Sequence, residues 1–207
     1  MAFDPETRME GIATLVASST GEIQLVVSSM QSASVVATSE LVLLQGLAKG
    51  DKIDAVVRDA TELGATRVVL VEAARSVVRL EGRRKDDRRA RLVKISEEAA
   101  RQCGRSDPPQ IVGPLPLLEA ISHAPEGGRF ALSPTATDKL GRELHLYLGA
   151  PLTFAIGPEG GLTTEELDLL DRHGFTMVSI GPFVLRTETV AACVLGAVRV
   201  LGDAQMG

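Results

Sequence analysis

Between residues 157 and 189 the chain gathers the residue types that can hold and act on a small polar ligand. Gly157-Pro158-Glu159-Gly160-Gly161 carries three glycines in five residues, which permits positive φ and lets a ligand approach the main chain with no Cβ in the way. Backbone amides would then do the reading. The second loop, Gly181-Pro182-Phe183-Val184-Leu185-Arg186-Thr187-Glu188-Thr189, sets an arginine, a glutamate and two threonines beside that ligand. Neither is a common nucleotide loop. A phosphate loop ends in Gly-Lys-Ser/Thr and a dinucleotide loop reads G-x-G-x-x-G, and the chain contains neither pattern.

Each loop leaves the end of an apolar run. Leu152 to Ile156 leads into Gly157-Pro158, and Met177 to Ile180 leads into Gly181-Pro182. In an open α/β sheet, ligands sit beyond the carboxyl ends of the strands, so both loops are expected at one edge of one sheet. Thr163-Thr164-Glu165-Glu166 reads as a capping box that starts a helix ending at Gly174. The final helix, Glu188 to Leu201, is apolar nearly all round and requires burial on more than one side. A homodimer interface would supply the second side.

Upstream, Leu41 to Gln45 reads as a buried strand, and Asp51 is suited to cap the helix that follows. Ile53, Val56, Val57, Ala60 and Leu63 form its stripe, Gly64 its left-handed stop, and Arg67 to Val71 the next parallel strand. Ile111 to Pro116 is broken by proline, Leu117 to Ala124 reads as a short helix and Phe130 to Ser133 as a strand. Glu10 to Ala17 and Glu22 to Val27, separated by Ser-Ser-Thr-Gly, read as a hairpin. The pattern after residue 40 is that of an α/β domain.

Three stretches, IGPEGGLTTEEL, SIGPFVLRTETVAA and LAKGDKIDAVVRDATELGATRVVLVEAARSVVR, resemble the RsmE family of the SPOUT superfamily. These are S-adenosylmethionine-dependent enzymes that methylate N3 of a uridine in 16S ribosomal RNA. The resemblance implies an α/β SPOUT-type methyltransferase domain with a deep trefoil knot over residues 41–207, preceded in residues 1–40 by a partial PUA-like β-barrel segment. Threading of this kind is too rare to be inferred from pattern. By the same resemblance, the cofactor would be held by Ile156, Gly157, Pro158, Glu159, Gly160, Gly161, Ile180, Gly181, Leu185, Arg186, Thr187 and Thr189, with Leu132 and Ser133 as weaker candidates.

Arg186 and Glu188 are the candidate catalytic residues. Methylating N3 of uridine requires removal of a weakly acidic proton or stabilisation of the resulting anion. Glu188 has two readings, as that base or as a charge complementing the helix N-terminus; Arg186 either binds the uracil or a phosphate, or anchors the knot. Three functions stay open: the uridine N3-methyltransferase, a SPOUT enzyme acting on another RNA position, and a shortened, non-catalytic RNA-binding relative.

Charge is strongly segregated. Residues 75–105 hold eleven Lys or Arg against five Asp or Glu, whereas the whole chain holds 22 against 27. A basic patch on an acidic protein is the footprint of a polyanion partner, although Leu92, Ile95, Ala99 and Cys103 also make a core-facing stripe with the charges opposite. The segments SVVR and EEAARQCGR match the family, with Arg79, Glu98, Gln102 and Arg105 at the matching positions; together with the charge of the window, this makes Arg75, Arg79, Arg83, Arg84, Arg88, Gln102 and Arg105 the candidate contacts to small-subunit ribosomal RNA. Two cysteines, Cys103 and Cys193, read as buried thiols in a reducing cytosol rather than a disulfide or metal site. His123, His145 and His173 have no ligand spacing, so no metal is expected. With no apolar leader or span-length run, the expected location is the cytoplasm, with no membrane partner.

Overall fold

Leu41, Val42, Leu43 and Leu44 follow one another without a polar residue, the signature of a parallel strand buried on both faces. They form strand β4 (Leu41–Gly46), every residue of which is buried. In the computed structural model, residues 2–4, 7, 9–19, 22–32 and 39–203 are described. After β4 come α1 (Lys52–Glu62), β5 (Arg67–Val71), α2 (Arg83–Cys103), β6 (Gln110–Leu115), α3 (Leu117–Ile121) and β7 (Gly128–Leu132). These are followed by α4 (Leu140–Glu143), β8 (Leu152–Ile156), α5 (Thr164–Arg172), β9 (Thr176–Val178) and α6 (Thr187–Asp203).

The six strands from β4 to β9 form one parallel sheet in the order β6-β5-β4-β8-β7-β9. This is the α/β class expected. Alternation along β4 divides the core. Leu41 and Leu43 join Val56 of α1, Leu92 of α2 and Val194 of α6 on one face, while Val42 and Leu44 join Ala120 of α3 and Leu170 of α5 on the other.

Two local readings need correction. Asp51 makes no capping bond, because its backbone (φ −89°, ψ 7°) lacks the extended geometry a capping side chain requires; its carboxylate instead lies 3.8 Å from Arg91 of α2. Residues 110–115 form strand β6 in spite of Pro114. β6 is an edge strand, where a missing N–H is tolerated, and the pairing with β5 shifts register between Val69 and Val71.

The thiols also differ from expectation. Cys103 and Cys193 are both exposed. On α2 the buried residues are Leu92, Ser96, Ala99 and Ala100, so the last turn has passed beyond its cover. On α6 the buried side is Ala191, Val194 and Leu195, and Cys193 lies away from it.

The amino-terminal strands β1 (Ala2–Asp4), β2 (Met9–Ser19) and β3 (Glu22–Ser32) form a separate antiparallel sheet in the order β1-β2-β3. The hairpin between β2 and β3 is as expected; Thr20 and Gly21 of its turn lie outside the described residues. Consecutive residues Leu25 and Val26, on opposite faces of β3 by strand alternation, are both exposed. Buried Glu10 connects this sheet to the larger domain by accepting a hydrogen bond from Ser106 Oγ at 2.9 Å. Among the described residues no helix is long and apolar enough to cross a membrane.

Candidate active site

Parallel pairing of β7 with β8 and with β9 brings the ends of three strands together. The loops that leave them enclose a cavity of about 900 Å³, within the usual range for a small-molecule site.

The glycine loop is held from both sides. Arg75 Nη1 donates to the carbonyl oxygens of Gly160 at 3.0 Å and Leu162 at 3.3 Å. Opposite, Glu159 Oε1 accepts from Lys52 Nζ at 2.8 Å and from the Lys49 amide at 3.1 Å. Burial works against the charge on Glu159, but the hydrogen bonds from Lys52 and from main-chain amides outweigh it, and the carboxyl sits below its ordinary range. Downstream, the capping box is complete. Thr163 Oγ1 accepts from the Glu166 amide at 3.2 Å, and Glu166 Oε2 accepts from the Thr163 amide at 2.8 Å. The other Glu166 oxygen accepts from the Ala74 amide at 2.8 Å, so the same carboxylate fixes both the helix and the segment carrying Arg75.

The glycines have distinct uses. A Cβ on Gly157 would lie 2.8 Å from the carbonyl carbon of Gly161, so the two ends of the loop touch there. Gly161, which lines the cavity, has φ +70° and nothing within 4 Å of where a Cβ would stand. An extended ligand can therefore rest against main chain at this point.

Of the residues expected to hold a cofactor, Leu132, Ser133, Ile156, Gly157, Pro158, Glu159, Gly160, Gly161, Ile180, Leu185, Arg186 and Thr187 line the cavity. Gly181, Thr189 and Glu188 are not on its wall. Thr187 is buried and its hydroxyl donates to the Gly157 carbonyl at 2.8 Å, joining the two loops. Glu188 stands in the first turn of α6, and its Oε2 is buried with no hydrogen-bond partner among the described residues.

The basic segment divides. Arg79, Arg83, Arg84 and Gln102 are exposed. Three other candidates are bonded within the molecule. Arg75 clamps the glycine loop. Arg88 lies 3.2 Å from Asp54 and donates to the Gly50 carbonyl at 3.2 Å, tying α2 to α1. Arg105 is buried, with Nε on Asp107 at 2.8 Å and Nη1 on the Thr61 carbonyl at 2.9 Å. Sequence reasoning missed Gln45 and the cavity residues Lys52, Thr135 and Ser179. Gln45 carried a signal, as the one polar side chain in an apolar strand. Among the described residues no group of three or more His, Cys, Asp or Glu could hold a metal ion.

The family model described as an RNA methyltransferase domain matches residues 36–199. The chain belongs to this RNA methyltransferase family. The likeness to RsmE is borne out: ribosomal RNA small subunit methyltransferase E of Bacillus subtilis is 31% identical over 163 residues, covering 75% of this chain and 64% of that protein. The protein of that name from Mycobacterium bovis is 34% identical over 164 residues, covering 77% of this chain and 62% of its own length. The chain thus spans less than two thirds of these curated relatives. A ribosomal RNA small subunit methyltransferase E from Neisseria gonorrhoeae, solved bound to S-adenosyl methionine, superposes with a TM-score of 0.82 at 26% identity, over 93% of this chain and 79% of the other.

Proposed function

We propose that this RNA methyltransferase family member transfers a methyl group from S-adenosylmethionine to N3 of a uridine in small-subunit ribosomal RNA. One observation carries the reading. The glycine loop is braced by Arg75 and Glu159 on either side of a cavity, at the strand ends of a fold shared with a relative crystallised with that cofactor. The residues fit such a ligand, since Gly161 leaves main chain uncovered where the cavity begins. Gly157, Gly160, Gly161, Ile180 and Leu185 would hold the cofactor, which supplies an electrophilic methyl group on a sulfonium.

Methylation at N3 would require the N3 proton to leave to water or a base, with the S–CH₃ electron pair staying on the donor sulfur. Much of the rate would come from holding the two reactants in line. Arg186, exposed on the cavity wall, is the cation suited to stabilise the uracil anion. Glu188, off that wall, fits its second reading as a negative charge in the first turn of α6.

The same reading includes the trefoil knot, supported by the course of the chain. From edge strand β9, residues 181–187 return to the middle of the sheet, where Thr187 bonds to both Gln45 of β4 and the loop after β8. The three-stranded amino-terminal sheet is consistent with a shortened PUA-like segment that contacts RNA. A homodimer would cover the outer side of α6, where Thr189, Cys193 and Val200 are exposed, and the enzyme would work in the cytoplasm.

The test is titration calorimetry with S-adenosylmethionine, followed by incubation of the purified protein with that donor and small-subunit RNA. Nucleosides from the digested RNA are then examined by mass spectrometry. Cofactor binding together with 3-methyluridine is the expected outcome. Methylation at another base would move the activity elsewhere in the family, and binding of RNA without cofactor would indicate a non-catalytic relative.

A further inference from the structure

Phe183 is 76% exposed and its neighbour Val184 82% exposed, although both line the cavity. Among the described side chains the other phenylalanines are buried: Phe130, Phe154 and Phe175 are each no more than 1% exposed. Phe130 and Phe154 stack on each other at 5.7 Å. A ring left in water at the mouth of a cavity forgoes the burial that stabilises Phe130, Phe154 and Phe175.

The surroundings are those of a nucleotide site. Arg186 lies on the same loop, on the cavity wall, and is exposed. An aromatic face beside cations is how proteins hold an unpaired base, with the ring stacking on the base and the cations neutralising phosphate. A base buried in a helix cannot present N3 to a cavity, so it must be unstacked before reaction. Something must then replace the lost stacking.

We propose that Phe183 is the stacking platform for the target base, receiving an unpaired nucleotide of single-stranded RNA at the mouth of the cavity. This rests on the proposed RNA methyltransferase activity and adds the substrate subsite. Charge favours this occupant over a second copy of the chain, because a copy covering Phe183 would also have to cover exposed Arg186 in the same loop. A phosphate backbone neutralises that cation instead.

The sequence contains no tryptophan, so Phe183→Trp introduces a single reporter at the site. With S-adenosylmethionine present, its fluorescence should be quenched by single-stranded oligouridine and not by an RNA duplex of equal length. In methylation assays, Phe183→Ala should lower kcat/KM for RNA by roughly 5- to 150-fold. Phe183→Trp should restore it, whereas Phe183→Leu, apolar without a stacking face, should not. Calorimetric affinity for the cofactor and sedimentation behaviour should match wild type in all three variants.

If Phe183→Leu methylates as well as wild type, or duplex quenches as strongly as single strand, the stacking role is wrong. A shift of Phe183→Ala to a smaller species in sedimentation would assign the ring to contact between copies. Loss of cofactor binding in that variant would assign it to the cofactor. Wild-type protein that binds the donor but methylates no RNA would overturn the proposed activity itself; normal wild-type methylation with an unaffected Phe183→Ala would overturn the stacking role alone.

Discussion

Gln45 Nε2 donates to Thr187 Oγ1 at 2.9 Å across 142 residues of sequence. Both side chains are buried. Because Thr187 Oγ1 in turn donates to the Gly157 carbonyl at 2.8 Å, its single proton is committed, and one hydroxyl joins β4, the glycine loop and the start of α6.

Thr187→Val keeps the shape and removes both bonds. The Gly157 carbonyl loses a buried partner, while Gln45 keeps its bond to the Gly46 carbonyl at 3.0 Å. A loss of about 1–3 kcal/mol is expected for the group left unpaired, measured by urea unfolding, with Thr187→Ser close to wild type. An unchanged midpoint in Thr187→Val would show that the bridge adds nothing to stability.

Gly161→Val should abolish cofactor binding, since φ +70° strains a β-branched residue at a position that lines the cavity. Gly160→Val should weaken binding by a different route. Its Cβ would stand 3.0 Å from Arg75 Cβ, displacing the arginine that holds the loop. Calorimetry decides both, and retained affinity in the pair would sink the pocket assignment.

The exposed basic residues should give RNA binding a steep salt dependence. Each phosphate neutralised adds about 0.7 to 0.9 to the log-log slope, so Arg83→Ala with Arg84→Ala should flatten it by roughly 1.5. Arg142→Ala, an exposed charge on α4 outside the window, is the control. Equal slopes for the double mutant and the control would reduce this face of α2 to a solvated surface.

Acid should loosen the glycine loop through Glu159. Its carboxyl titrates below the ordinary 4.5, so folding favours the charged form. That contribution is fully present above the ordinary value and is lost as pH falls through the depressed one. Wild-type protein should therefore lose more stability than Glu159→Gln as pH falls below the ordinary carboxylate range; parallel curves would show that the contacts from Lys52 and Lys49 are not coupled to folding.

The elements were legible where their determinants are local. The capping box at Thr163 and Glu166, the stop at Gly64 and the apolar run from Leu152 to Ile156 need only neighbouring residues, and each was found where the pattern indicated; the second run is shorter than expected, its strand ending at Val178. The arginines were harder because their partners are distant in sequence. Arg75 is satisfied by carbonyls 85 and 87 residues away, and Arg105 by one 44 residues away. Composition records none of these bonds. Exposure of the cysteines was likewise set by where a helix runs out of neighbours, which periodicity along one helix does not record.

Sharing a hydroxyl between residues 45, 157 and 187 also bears on the order of assembly. β4 leaves the ribosome early, yet Gln45 must wait for Thr187, and the sheet face that receives Val194 and Leu195 stays uncovered until α6 has been synthesised. Local units such as β4-α1-β5 can form as the chain emerges, because domains generally fold as units from the amino-terminal side. The cavity cannot. Its wall requires residues 183–190, so a nascent chain stopped before them would carry a nearly complete sheet and no site, with the adhesive face of that sheet open to chaperones.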